Sequence, residues 1–193
     1  ANLFVLKNNS LVAEIFIEDE LKKDANELIN FLKKNKKRIV LMSGDQKKRC
    51  AQIANQLNIK EIYYELLPEE KLTHIKKLTK DNVVVMIGDG INDAPALSLA
   101  HVGISFGNAT EIAKNSSEVV IIGENNLLKV IKTIENSNLT LKTIKQNLFW
   151  ALGYNVIAIP IAAIGLLSPI IAAGSMAFSD LVVIGNSIRL KFK

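Results

Sequence analysis

The chain has 193 residues, 49% hydrophobic and 22% charged, with a formal net charge of +5; that is enough for one globular domain with a core plus a smaller part. The single cysteine, Cys50, excludes an internal disulfide framework or a CxxC metal site. The lysines are scattered rather than interleaved with aromatic residues, which argues against nucleic acid as a partner.

Residues 11–17 (LVAEIFI), 39–42 (IVLM), 61–64 (EIYY), 83–87 (VVVMI), 102–106 (VGISF) and 118–122 (EVVII) read as short strands. Several are continuously apolar, as strands covered on both faces are. Helical spacing of apolar residues falls at 24–35, 46–57, 68–79 and 110–115. The alternation predicts an α/β fold with a parallel sheet, whose binding groups collect at the carboxyl ends of the strands. The run KKNKKR, Lys33 to Arg38, closes the first helix, where cations suit the negative end of the helix dipole. It reads as a solvated helix end, with contact to anionic lipid as the alternative. Cys50 falls on the apolar face of the second helix, His74 on a surface and His101 in a core.

Residues 125–146 predict a linking helix with a lysine-bearing polar face. From Asn147 to Ile188 the only ionisable side chains are Tyr154 and Asp180. Residues 147–167 give about twenty mostly apolar residues, enough to cross a bilayer. LLSP, ending at Pro169, predicts a tight turn, and Pro169 to Ile188 a second span. Pro160 is expected to kink the first. Lys142 and Lys145 flank one span; Arg189, Lys191 and Lys193 flank the other. Both ends are therefore expected on the cytoplasmic side of a cell membrane. The expected organisation is a globular domain over 1–124, a linking helix over 125–146 and a transmembrane helical hairpin over 147–193, with residues 1–146 cytoplasmic. A hairpin buried in a soluble protein is the alternative.

Residues 86–100, MIGDGINDAPALSLA, put Asp89 and Asp93 in a glycine-bearing loop after an apolar strand. Paired carboxylates suit a hard cation such as Mg²⁺, and the glycines let backbone approach a phosphate. Alternatively, Asp89 and Gly90 form a turn and Asp93 caps a helix. Two further strand ends favour the first reading. Ser43, in SGD, offers a hydroxyl to a phosphoryl oxygen. Lys71, in LPEEK, sits in a helix's first turn, where a cation can neutralise phosphate charge. Hydroxyl, lysine and paired carboxylates form a phosphoryl-transfer set.

GDGINDAPAL, the preceding SGD, the P-x-x-K and IEDELKKDA near the start together resemble the phosphorylation domain of P-type ATPases, in the haloacid dehalogenase superfamily. The family's TGD stands here as SGD, which keeps the hydroxyl. The resemblance implies a haloacid-dehalogenase-like (Rossmannoid) parallel sheet, incomplete here, followed by the transmembrane hairpin. It implies that Asp89 coordinates Mg²⁺, that Asp93 supports that site, and that Ser43 and Lys71 contact the phosphoryl group. ATP would be the substrate of the parent protein. The family's nucleophilic aspartate, in D-K-T-G-T, has no counterpart among the 193 residues, nor do the nucleotide-binding domain, the T-G-E loop and the earlier membrane helices. The expectation is a carboxyl-terminal piece of a pump, inactive alone and dependent on the missing amino-terminal part. A standalone membrane protein that binds Mg²⁺ or a partner subunit without catalysis is the alternative. A soluble dehalogenase-type phosphatase is disfavoured by the missing nucleophile and the two spans.

A hairpin closing the chain after this domain resembles the heavy-metal-transporting subgroup. Polar groups within spans are functional candidates: Tyr154 and Asn155 in the first, Met176, Ser179 and Asp180 in the second. Met176 and Asp180, four residues apart, share a helix face, and a thioether suits Cu⁺. YN and M-x-x-S resemble the copper(I) pumps, whose last helix reads M-x-x-S-S. Asp180 replaces the second serine, which leaves Zn²⁺ or Co²⁺ as alternative ions. The expected partners are the transported metal ion, Cu⁺ first, and the lipid bilayer.

Overall fold

A computed structural model describes residues 2–16, 21–22, 24–88, 91–123, 126–166 and 168–192. The chain divides into two compact units, Ala1–Val130 and Ile131–Lys193.

The first unit opens with a hairpin of β1 (Asn2–Lys7) and β2 (Ser10–Phe16), paired antiparallel with Lys7 opposite Ser10. Asn8 and Asn9 form the two-residue turn at φ 50° and 63°, the left-handed conformation that asparagine tolerates and that matches strand twist. This corrects the expectation for 11–17. Among the described residues that strand pairs only with β1 and joins no parallel sheet; Ile17 lies outside them.

Strands and helices then alternate: α1 (Ala25–Lys34), β3 (Val40–Met42), α2 (Lys47–Leu57), β4 (Glu61–Tyr63), α3 (Pro68–Asp81), β5 (Val85–Ile87), α4 (Ala94–Leu99), β6 (Val102–Phe106), α5 (Glu111–Asn115) and β7 (Val119–Ile121). The five strands of this stretch form two hydrogen-bonded groups, β3-β4 and β5-β6-β7, each paired parallel. The core lies between the second group and its helices. Ile75 of α3, Met86 of β5 and Leu97 of α4 cluster with Ala96, Ala100, Ala109 and Ala113, and Met42 of β3 packs against them. The alanines let α4 and α5 sit close to the sheet. Burying Ile75 and Leu97 contributes about 1.5–3 kcal/mol each. Cys50 is buried on α2. His101, contrary to expectation, is exposed, and its Nδ1 accepts a hydrogen bond from the Val84 amide at 3.2 Å. His74 is half-buried, its ring centroid 4.1 Å from that of Tyr63.

The second unit is a helical hairpin. Helix α6 (Leu128–Ala163) runs unbroken, so the expected linking helix and most of the expected first span form one element containing Pro160. Its first amides are capped by the Asp24 carboxylate, on Leu127, and by Asn126 Oδ1, on Leu128 at 2.7 Å. After a turn through Gly165 at φ 75°, Ser168 caps α7 (Pro169–Ile188). Among the described residues one helix, Ile170–Lys191, is long and apolar enough to cross a membrane. The expected first span over 147–167 does not reach that measure. Asn147, Tyr154 and Asn155 dilute it, the helix ends at Ala163, and Leu167 lies outside the described residues.

Candidate functional site

Three strand ends build the site. Strand β5 leads into Gly88. Asp89 and Gly90 follow outside the described residues, so the Mg²⁺ role expected of Asp89 concerns a residue whose place is not described. The chain resumes in a 3-10 turn, Ile91–Asp93, that feeds α4. Asp93 occupies the cap position of α4 yet makes no side-chain cap hydrogen bond. Its Oδ1 instead accepts from Lys71 Nζ at 2.8 Å, with the two side chains only 17% and 13% exposed. Gly88 makes this possible. A Cβ there would lie 2.9 Å from Asp93 Cβ and 3.1 Å from its Oδ2, so the aspartate rests in the hollow a larger residue would fill.

Lys71 reaches the pair because of local sequence at the start of α3. Pro68 occupies the first helical turn, and the Leu67 amide donates to the Glu70 carboxylate at 2.8 Å. A lysine so near a helix N-terminus opposes the dipole, so its ammonium needs an anionic partner, which Asp93 supplies.

Strand β3 leads into Ser43, whose amide donates to the Tyr63 carbonyl at 3.0 Å. Ser43 Oγ donates to Asp45 Oδ2 and accepts from the Asp45 amide, both at 3.1 Å. The same loop is tied to the segment that starts α3: the Leu66 amide donates to the Ser43 carbonyl at 3.1 Å, and the Glu65 amide to that of Asp45 at 2.9 Å. A Cβ on Gly44 would come 3.3 Å from the Leu66 carbonyl oxygen. The structure thus joins Lys71 to Asp93 and ties the Ser43 loop to the base of the lysine's helix. Among the described residues the Ser43 hydroxyl bonds to neither. Sequence reasoning named Asp93 and Lys71, gave Gly88 the role of letting backbone approach a phosphate rather than of making room for Asp93, and assigned no role to Asp45, which was legible in the SGD string itself.

The chemistry of the donor set fits a hard cation. Asp93 Oδ1 is occupied by Lys71, while Oδ2 carries no hydrogen bond among the described residues and faces the Gly88 hollow. A carboxylate oxygen is the ligand type Mg²⁺ takes. At the opposite end of β3 and β4 from these loops, Arg38 donates to Glu61 through two nitrogens, at 2.8 and 2.7 Å. That hydrogen bond holds the Glu61 carboxyl below its ordinary range against partial desolvation, with the Tyr63 hydroxyl assisting.

In the hairpin, the Tyr154 hydroxyl donates to the Ala172 carbonyl at 3.1 Å, joining α6 to α7. Asn155 turns onto its own helix, donating to the Ala151 carbonyl at 3.1 Å. Met176 and Asp180 are exposed and Ser179 half-buried. No hydrogen bond among the described residues links these three to Tyr154 or Asn155. Nor do the described residues contain a group of three His, Cys, Asp or Glu side chains able to hold a metal ion.

The haloacid dehalogenase-like hydrolase family matches residues 3–101, and a second family of that description matches 69–134. Over 190 residues, 98% of this chain and 24% of the other, the chain is 43% identical to a copper-exporting P-type ATPase of Staphylococcus epidermidis. Over 194 residues, 99% of this chain and 26% of the other, it is 42% identical to a probable copper-importing P-type ATPase A of Enterococcus hirae. The chain therefore spans about a quarter of the length of these relatives. Among solved structures, a zinc-transporting PIB-type ATPase in its E2.Pi state superposes with a TM-score of 0.86 at 31% identity, over 97% of this chain and 31% of that one. The chain belongs to the haloacid dehalogenase-like hydrolase family, and the relatives it resembles along nearly its whole length are metal-transporting P-type ATPases.

Proposed function

We propose that this chain is the carboxyl-terminal part of an ATP-driven pump for heavy-metal cations, with Cu⁺ as the transported ion. The observation that carries the reading is the Lys71–Asp93 pair seated against Gly88 at the end of a parallel strand, in a chain so similar to copper pumps. In this reading Asp89 and Asp93 hold Mg²⁺, which screens charge on the phosphoryl group. Lys71 supplies a fixed positive charge to the same group. Ser43 releases Asp45 to donate its hydroxyl to a phosphoryl oxygen. Residues 1–124 form the phosphorylation domain and stay cytoplasmic together with the linking segment 125–146. Residues 147–193 cross the cell membrane twice and contribute Tyr154, Asn155, Met176, Ser179 and Asp180 to the ion path.

Asp180 favours a second reading, a pump for a divalent ion. A carboxylate is a harder ligand than the serine of the copper pattern, and a zinc transporter is among the structures the chain resembles. A metal panel on the complete pump separates the two. Cu⁺-stimulated ATP hydrolysis that Met176→Ala cuts at least tenfold supports copper. Stimulation by Zn²⁺ or Co²⁺ that Asp180→Ser abolishes supports the divalent reading. Turnover that no metal stimulates would end both.

A further inference from the structure

The membrane reading of the hairpin leaves one feature of α6 unused. A shallow, open surface hollow of about 450 Å³ lies along this helix, lined by Lys142, Lys145, Phe149 and Trp150, with Asn138, Leu141 and Gln146 beside them. The spacing of three and four residues makes these one stripe. The order along the helix is ammonium groups, then a pair of aromatic rings set edge to face at 5.8 Å, then the exposed aliphatic residues Leu152, Val156 and Ile157. At 1.5 Å per residue the rings begin one turn beyond Lys145. Headgroup, interface and acyl chain follow one another in a bilayer in the same order.

More positive charge reaches this end. Asn147 Nδ2 donates to Ser187 Oγ at 2.8 Å, and Asn186 Nδ2 donates to Asn147 Oδ1 at 2.8 Å and to Gln146 Oε1 at 3.3 Å. This clasp sets the end of α7 against Gln146 and Asn147, with Arg189 and Lys191 just beyond it in the sequence. The sequence has no carboxylate side chain from 136 to 179 or from 181 to 193. Four cations therefore stand at one end of the hairpin without an acidic residue among them.

We propose that this end of the hairpin is a binding collar for anionic phospholipid, with the lipid phosphate between Lys142 and Lys145 and an acyl chain along Phe149 and Trp150. The proposal rests on the hairpin being membrane-embedded, and Trp150, the only tryptophan, allows the two to be tested separately. The 193-residue chain is reconstituted in phosphatidylcholine bilayers containing either phosphatidylglycerol or phosphatidylcholine with brominated acyl chains, and tryptophan fluorescence is followed. Brominated phosphatidylglycerol should quench at a mole fraction lower by on the order of tenfold, given two lysines at an anionic headgroup. Lys142→Gln with Lys145→Gln should erase that preference while leaving quenching by brominated phosphatidylcholine intact, and Lys142→Arg with Lys145→Arg should retain it. Equal quenching of the unaltered chain by both lipids overturns the collar and leaves the membrane reading standing. Quenching by neither overturns the membrane reading itself. Loss of the preference on adding millimolar inorganic phosphate would make free phosphate, rather than lipid, the ligand.

Discussion

Lys71 and Asp93 are each mostly withdrawn from water, so neither tolerates losing the other. Removing one partner of a buried pair costs more than the pair contributes, because an unpaired charge remains. At 13% and 17% side-chain exposure, solvent moderates the cost to about 1–2 kcal/mol for either single substitution. Lys71→Met should therefore lower the urea midpoint of the chain, and the double variant Lys71→Met, Asp93→Leu should recover part of the loss. Additive losses in that cycle would mean that the two groups are not coupled. Gly88→Ala attacks the same pair through geometry. The added methyl would lie 2.9 Å from Asp93 Cβ, so the aspartate must move. The coupling measured by the cycle should then shrink in the Gly88→Ala background. In the complete pump, Lys71→Met should slow phosphoryl transfer at least tenfold even at temperatures where the protein stays folded.

The β3-β4 pair shows how much of the fold single elements disclose. Arg38, just before β3, grips Glu61 at the start of β4, and the hydrogen bond holds the Glu61 carboxyl below its ordinary value of 4.5. A depressed carboxyl contributes stability above its unfolded value and loses it as pH falls through the folded one. The unaltered chain should thus lose stability below pH 4.5, and Glu61→Gln should lower stability at neutral pH while flattening that acid limb. An unchanged acid limb in the variant would remove Glu61 from the account. Both strands were legible because IVLM and EIYY are short apolar runs, and α3 because Pro68 marks its first turn. Strand β1 was not. LFVLK gives no clear alternation, and its partner is chosen by the Asn8-Asn9 turn, whose left-handed backbone only the structure displays. The same blindness put residues 11–17 into the parallel sheet, since pairing is a non-local property that apolar runs do not encode. Helix α4 was legible only at its start, from Asp93 and Pro95, because six residues hold less than two turns of periodicity. At the site, residue types were legible, whereas contacts were legible only where local. Ser43 and Asp45 are two residues apart, but Lys71 and Asp93 meet across 22. His101 was misassigned because apolar neighbours do not reveal which side chain turns outward.

At the scale of the whole chain, the proposed reading gives these groups the work of binding and stabilising a phosphoryl group and gives none of them the work of accepting it. Forming an acyl phosphate requires a carboxylate oxygen to attack the γ-phosphorus of ATP while the bond to the bridging oxygen breaks and ADP leaves. The 193 residues contain no D-K-T-G-T. Of the aspartates described at the strand ends, Asp93 is engaged by Lys71 and Asp45 by Ser43. With labelled ATP and Mg²⁺ this chain should therefore take up no hydroxylamine-labile phosphate, whereas a longer protein that includes the missing motif should. Label on the isolated chain would identify another carboxylate as nucleophile and would mean that this chain accepts the phosphoryl group itself. Binding should survive where chemistry does not, since the Asp93 carboxylate belongs to this chain. Mg²⁺ titration should shift the amide resonances of Gly88 and Asp93, and Asp93→Asn should weaken the response severalfold. A titration that leaves both resonances unmoved would show that the Asp93 carboxylate of this chain does not hold the ion by itself.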